Sequence, residues 1–256
     1  MDKNLYIQIY SVRDKMQTPE SVESTLKALA SYGYKGFQTA GNIKVDAERY
    51  PKLLKETGLK VIGTHTALET LEDADAAAEY HAKLETNYAG VGAMPGIFSP
   101  NFTKEDFRTA VDKMHSVVEN LAKKNLIFTY HHHSSEFAKI GNETMMDIMV
   151  REFANENFTF CLDTYWLVHA GVEIREWLEK LAGKVHILHL KDKGIPFAIN
   201  DATITELGNG NINFKEVIKI AQATGVKHLC YEQDNGFAVD CLDSAKKSAE
   251  YFYSII

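Results

Sequence analysis

Cysteine is scarce in this chain. Its three cysteines, Cys161, Cys230 and Cys241, are odd in number and show no CxxC spacing. That speaks against a disulfide framework and fits a reducing compartment. Positive charge is not in excess: 28 Lys and Arg stand against 35 Asp and Glu, a formal charge of −7. A surface built for nucleic-acid phosphates is usually basic, so nucleic acid is not the expected partner. No apolar run approaches the roughly 20 residues that span a bilayer, so no membrane partner is expected either. The opening MDKNLYIQIYSVRD carries charges inside its first apolar run and lacks a signal-peptide layout. A soluble, cytoplasmic protein is expected. No GxGxxG follows the first apolar run, and no linker or change of composition divides the chain. One domain over 1–256 is expected.

What is present is an alternation. Short apolar runs of strand length at 5–10, 36–40, 59–65, 88–94, 126–131, 158–163, 185–190 and 227–232 are separated by amphipathic stretches. These stretches predict helices at 19–32, 46–57, 72–87, 103–124, 143–155, 173–182, 214–224 and 240–254. Pro19 and Gly33 bracket the first helix, Gly58 closes the second, and Thr103 with Asp106 forms a capping signature at the fourth. Eight strand–helix units imply parallel strands with crossovers, and their number predicts an α/β fold of the (β/α)8 TIM-barrel type. An open doubly wound sheet is the structural alternative.

Side chains on a strand alternate faces. In most runs one parity is apolar and the other ends on a polar residue: Gln8, Gln38, His65, His131 and His133, Asp163, His189 and Lys191, and Glu232. The fourth run does not show the pattern. A barrel collects the C-terminal ends of its strands at one mouth, so these residues are expected to meet there. The stretch LIFTYHHHSSEF at 126–137 is the densest in such groups. His132 has the opposite parity and is expected to point away. Singly, each residue has a plainer role: a core histidine at 189, a helix cap at Asp163, an ion pair between Glu232 and Lys191. Their common parity and strand-end position favour a joint site.

Imidazole and carboxylates from different strands make a mixed N/O site for Mn²⁺, Zn²⁺, Co²⁺ or, less well, Mg²⁺. The expected ligands are Asp163, His189 and Glu232, with His131 or Glu136 as the fourth and His131 ranked first. Such an ion would stabilise the enediolate formed when a proton leaves beside a carbonyl. Glu232, Glu136 and Lys191 are the candidate catalytic groups. Gln8, His65, His133, Trp166 and Lys191 are the candidate substrate contacts. The Gly208 and Gly210 pair would read as a plain turn were the loop after 190 not so long.

The motifs IQIYSVRD, GFQTAG, GTHT, YHHHSSEF, LDTYW, HLKD, ELGNGNINF and YEQD, spread over the whole chain, resemble the xylose isomerase-like TIM barrels. This is the sugar phosphate isomerase/epimerase group, which also holds inosose dehydratase and the AP endonuclease IV branch, and the closest pattern is its HNHxxEF-type subgroup. The resemblance implies a Glu–Asp–His–Glu metal set, of which Asp163, His189 and Glu232 match and His131 replaces the first glutamate. His132 stands where asparagine is usual, Gln38 where many relatives have glutamate, and Trp166 where the epimerases have histidine. The resemblance implies a metal-dependent isomerase or epimerase acting on a sugar, keto-sugar or polyol. The alternative is a lyase or dehydratase of a keto-sugar or inosose at the same site. Two remoter readings are an inactive sugar-binding barrel and an AP endonuclease IV-like nuclease. The pattern leaves room for a homo-oligomer.

Overall fold

Each of the eight apolar runs forms a strand: β1 Leu5–Gln8, β2 Gly36–Gln38, β3 Lys60–Gly63, β4 Tyr88–Val91, β5 Ile127–His131, β6 Phe158–Asp163, β7 Val185–Leu190 and β8 His228–Tyr231. The computed structural model describes residues 3–41, 48–197 and 201–256. All eight strands are parallel, in the order β3–β2–β1–β8–β7–β6–β5–β4. The two ends meet, because Thr64 N–H donates to the Tyr88 carbonyl and Thr66 N–H to the Gly90 carbonyl, at 3.0 and 2.8 Å. The sheet therefore closes into a barrel, and the (β/α)8 architecture holds.

Nine α-helices of the described residues surround it: α1 Pro19–Ser31, α2 Tyr50–Thr57, α3 Ala74–Lys83, α4 Lys104–Ala122, α5 Met145–Glu152, α6 Thr164–His169, α7 Ile174–Lys180, α8 Phe214–Ala223 and α9 Cys241–Ile255. The predicted start of the second helix, at 46–47, lies outside the described residues. Thr103 and Asp106 form the expected capping box of α4. Thr18 and Thr144 cap α1 and α5 in the same way. The short α6 lies outside the predicted helix spans. It starts directly from the last residue of β6, Asp163, whose plainer role was that of a helix cap.

The alternation of faces is largely as the apolar pattern predicts. Ile7, Phe37, Phe128, Tyr130, Leu162, Leu188, Leu190, Leu229 and Tyr231 join the outer core between sheet and helices. Tyr6, Cys161, Ile187 and Cys230 pack in a separate cluster inside the barrel. Strand β3 departs from the rule. Ile62 joins the inner cluster, although parity with His65 would put it outside. The cause is an irregularity in pairing: Phe37 is opposite Val61, but Gln38 is opposite Gly63. The extra residue resets the parity before His65. Glycine suits that point, where φ is +154° and a Cβ would lie 3.1 Å from Tyr88 Cβ.

The long loop after β7 is partly a hairpin, with Asp192–Gly194 antiparallel to Thr203–Thr205. Its glycine pair is more than a turn. Asp192 is fully buried. Its carboxylate accepts the N–H groups of Lys193, Gly208, Gly210 and Ile212 at 2.8–3.2 Å. A Cβ on Gly210 would meet Asp192 Oδ1 at 2.4 Å, so the close approach requires glycine. HLKD and ELGNGNINF are thus two halves of one anchor. Asp192→Ala should leave several buried N–H groups without an acceptor and lower stability by about 2–4 kcal/mol. Urea unfolding of the two proteins checks this, and an unchanged midpoint would refute the anchor.

Candidate metal centre and substrate cavity

The closed barrel brings His131, Asp163, His189 and Glu232 together. One donor atom from each lies within 4.8 Å of all the others, and all four residues are buried. His131 Nδ1 lies 3.0 Å from the Gly92 carbonyl, which can only accept, so Nδ1 carries the proton. The lone pair on His131 Nε2 then faces Asp163 Oδ2 at 3.5 Å and Glu232 Oε2 at 3.9 Å. Among the described residues, neither His131 Nε2 nor Asp163 Oδ2 has a hydrogen-bond partner. On the other side, His189 Nδ1 lies 2.8 Å from Glu232 Oε2 and 3.9 Å from Asp163 Oδ2. Buried acceptors turned toward one another need a cation or a proton between them. Two imidazoles and two carboxylates suit a divalent ion of the Mn²⁺, Co²⁺ or Zn²⁺ kind.

The backbone around these donors is held from several sides. Asp163 Oδ1 accepts the N–H of Trp166 and so caps α6, which leaves Oδ2 for the donor group. His132 points away from the donors, as its parity predicts, but it is no bystander. Its Nε2 accepts the N–H of Asp163 at 3.1 Å, and its Nδ1–H is directed at the His133 carbonyl. Sequence periodicity carries no signal for a contact of this kind.

Lys191 is 1% exposed. Its Nζ lies 2.7 Å from Asp234 Oδ2, 3.2 Å from Glu232 Oε2 and 3.5 Å from Asp163 Oδ2. Burial disfavours the ammonium, but the three carboxylates outweigh it and raise its pKa. Glu232 is the converse: burial opposes its ionisation, yet Lys191 and His189 hold it well below the usual range. Burial raises Asp163, against the pull of Lys191. Asp234 is pushed up to about 6, by burial and then by the Glu232 charge.

A cavity of about 580 Å³ opens on this group, lined by Gln8, His65, His131, His133, Lys191 and Glu232 among others. Asp234 also lines it and was missed by the sequence reading. Its signal was available, since it follows Glu232 by two and shares its parity. Trp166 is not on the cavity wall. Its ring stands 5.0 Å from His133 and 5.2 Å from Lys191 Nζ, behind the lining residues.

Glu136, the rival fourth ligand and candidate catalytic group, is not brought into the donor group. It is fully buried, and its two oxygens accept from the Tyr130 hydroxyl at 2.7 Å and the His133 N–H at 2.9 Å. Tyr130 belongs to the outer face of β5, so the turn carries Glu136 behind the strand and away from the mouth. The strand-five place beside Asp163 is occupied by His131.

Burial holds the three adjacent imidazoles at 131–133 neutral. With neighbouring histidines it takes His131 down to about 3, His132 to about 4 and His133 to about 2. These folded-state values lie below the ordinary histidine value, so the unfolded chain takes up protons first as pH falls. The stability they contribute is whole above about pH 6.5 and is lost progressively below it. Asp234 offsets part of this from about pH 6 downward, because its proton binds more readily in the folded state. The metal-free protein should lose up to about 1.4 kcal/mol per pH unit for each such histidine. Urea midpoints measured from pH 7.5 to 5 check the sign.

A family model described as the xylose isomerase-like TIM barrel matches residues 26–255, and the chain belongs to that family. An inosose dehydratase from Geobacillus thermodenitrificans is 26% identical over 139 residues, which is 49% of this chain and 46% of that protein. The chain thus spans about half the length of that relative. An inosose dehydratase from Mesomycoplasma hyopneumoniae is 22% identical over 218 residues, 78% of this chain and 69% of that protein. Among solved structures, a sugar phosphate isomerase/epimerase from Parabacteroides distasonis has a TM-score of 0.79 at 22% identity, covering 98% of this chain and 97% of that one. Its likeness is one of fold.

Proposed function

We propose that this chain is a divalent-metal-dependent enzyme that removes a proton beside the carbonyl of a keto-sugar or keto-polyol and expels a hydroxyl as water. The observation that carries the reading is the convergence of His131 Nε2, Asp163 Oδ2, His189 Nδ1 and Glu232 Oε2 beside a cavity whose wall includes His131 and Glu232. A divalent ion held there would polarise a substrate carbonyl and lower the cost of removing the neighbouring proton.

The distribution of bases favours elimination over epimerisation. Epimerisation needs a base on each face of the reacting carbon. Among the described residues, the carboxylates on the cavity wall are Glu232 and Asp234, both from the end of β8 and both within 3.2 Å of Lys191 Nζ. They stand on one side. The imidazoles His131 and His133, held at about 3 and 2 by burial, are too weak to take a proton from carbon near neutrality. Elimination needs only one base. The C–H proton passes to a carboxylate, a C=C bond forms, and the C–O bond breaks. The Lys191 ammonium, or a protonated Asp234, supplies the proton with which hydroxide leaves as water. His65 and His133 bind substrate oxygens. The inosose dehydratases among the relatives, which are named for such a loss of water, agree with this reading.

The test is turnover in D₂O by the Mn²⁺-, Co²⁺-, Zn²⁺- or Mg²⁺-loaded protein, followed by NMR, with keto-inositols and ketoses as substrates. Elimination gives an unsaturated ketone and loss of one oxygen. Deuterium gained at carbon with no oxygen lost would establish the isomerase or epimerase reading instead. No turnover with any of the four ions would overturn both.

A further inference from the structure

Gln8 and Gln38 are fully buried beside the metal donors, yet the proposed chemistry gives Gln38 nothing to do. Their hydrogen bonds settle their orientation. Gln8 Oε1 accepts the N–H of Tyr10 at 3.1 Å. A backbone N–H only donates, so this bond fixes which end of the Gln8 amide is oxygen. Gln8 Nε2 then faces Gln38 Oε1 and His65 Nδ1, both at 3.1 Å, with the Thr39 carbonyl farther off at 3.4 Å. An amide NH₂ only donates, so Gln38 presents its oxygen there and His65 presents a lone pair at Nδ1.

Two consequences reach the site. Gln38 Oε1 lies 2.7 Å from His189 Nε2, so Nε2 carries a proton, and Nδ1, which faces Asp163 and Glu232, is the nitrogen left to ligate an ion. His65 Nε2 must likewise carry the proton. It is a buried atom without a hydrogen-bond partner among the described residues, on a ring that lines the cavity. The same logic excludes a second metal centre at the neighbouring His65, Cys161 and His189 group. Each imidazole there has one nitrogen protonated and the lone pair of the other committed.

We propose that Gln8 and Gln38 form a tautomer relay, set by the Tyr10 N–H, that makes His189 a ligand through Nδ1 and makes His65 an Nε2–H donor to an oxygen of the substrate. The His189 half rests on the metal reading above; the His65 half does not. Gln8 and Gln38 are positioning residues in this scheme, and His65 selects a substrate that offers an acceptor oxygen at that point.

Two isosteric charge-adding variants separate the relay from a general effect of buried charge. In Gln8→Glu the Tyr10 N–H still finds an oxygen, but the NH₂ is gone. His65 must move its proton to Nδ1. Gln38 must turn its NH₂ toward residue 8 and His189, which moves the His189 proton to Nδ1 and removes the metal's lone pair. In Gln38→Glu the carboxylate still accepts from Gln8 and from His189, so nothing flips. The readouts are the His65 tautomer by ¹⁵N–¹³C ring NMR of the metal-free protein, and Zn²⁺ affinity by calorimetry. The expected result is an Nε2–H tautomer of His65 in the unaltered protein and in Gln38→Glu, and Nδ1–H in Gln8→Glu. Zn²⁺ affinity should fall about 10–100-fold in Gln8→Glu alone. An Nδ1–H tautomer of His65 in the unaltered protein, which needs no variant to fold, overturns the relay. So do two variants that behave alike in both readouts. If His65 switches as stated while no Zn²⁺ binds even the unaltered protein, the relay stands and the metal reading falls.

Discussion

Asp163→Asn should abolish tight divalent-metal binding while leaving the fold intact. The asparagine keeps an oxygen at Oδ1, so it still accepts the Trp166 N–H and caps α6. At the Oδ2 position it places an NH₂, which can donate to the unpartnered His131 Nε2 at a separation now 3.5 Å. Two lone pairs that faced each other become a hydrogen bond. The metal-free variant should therefore melt at or above the temperature of the metal-free parent. Metal affinity should collapse, and any metal-dependent activity should fall by at least about 10²–10³-fold. Calorimetric titration beside thermal melting checks both halves. Full metal binding by this variant would remove Asp163 from the ligand set and with it the assignment of the site.

Lys191→Met is expected to have the largest effect on stability. The methionine fills most of the lysine stem's volume, but it leaves Asp163, Glu232 and Asp234 with no cation among them. Breaking a buried ion pair by removing one partner costs about 3–5 kcal/mol, because the remaining charge is neither solvated nor paired. Here the loss should be large without metal and much smaller with it, since a divalent ion can take over the neutralisation of Asp163 and Glu232. The rise in melting temperature on adding Mn²⁺ or Zn²⁺ should therefore be greater for the variant than for the parent. Equal rises in the two proteins would show that lysine and metal do not share those carboxylates.

Much of this arrangement could be read from the chain as written, for local reasons. The alternation of strand-length and helix-length apolar patterns predicted the barrel. The two-residue period of strands carried His131, His133, Asp163, His189, Lys191 and Glu232 toward one mouth. The same period would have included Asp234. It failed at Ile62, where the pairing of β2 and β3 slips by one residue beside Gly63. It gave nothing for β4, whose contribution to the donor group is a backbone carbonyl, that of Gly92, rather than a side chain.

Other features depend on where the closed barrel puts atoms that are distant in sequence. Parity left His131 and Glu136 as rivals. The turn after β5 places Glu136 against Tyr130 on the outer face, apart from His131 and the other donors. Parity made His132 idle, whereas the neighbouring strand gives it the Asp163 N–H to hold. The sequence offered Lys191 a partner in Glu232. The fold adds Asp163 and Asp234 to it, and commits Asp192 to the glycine loop.

The sequence by itself determined the fold, the end of the barrel that carries chemistry and the residue types gathered there, because hydrophobic period and side-chain alternation are properties of each segment. Only the tertiary structure decided which donor atoms face each other and which partners the ring nitrogens of His65, His131 and His189 meet. Those are set by hydrogen bonds between strands that meet only once the barrel has closed, as between Gln8, Gln38 and His189.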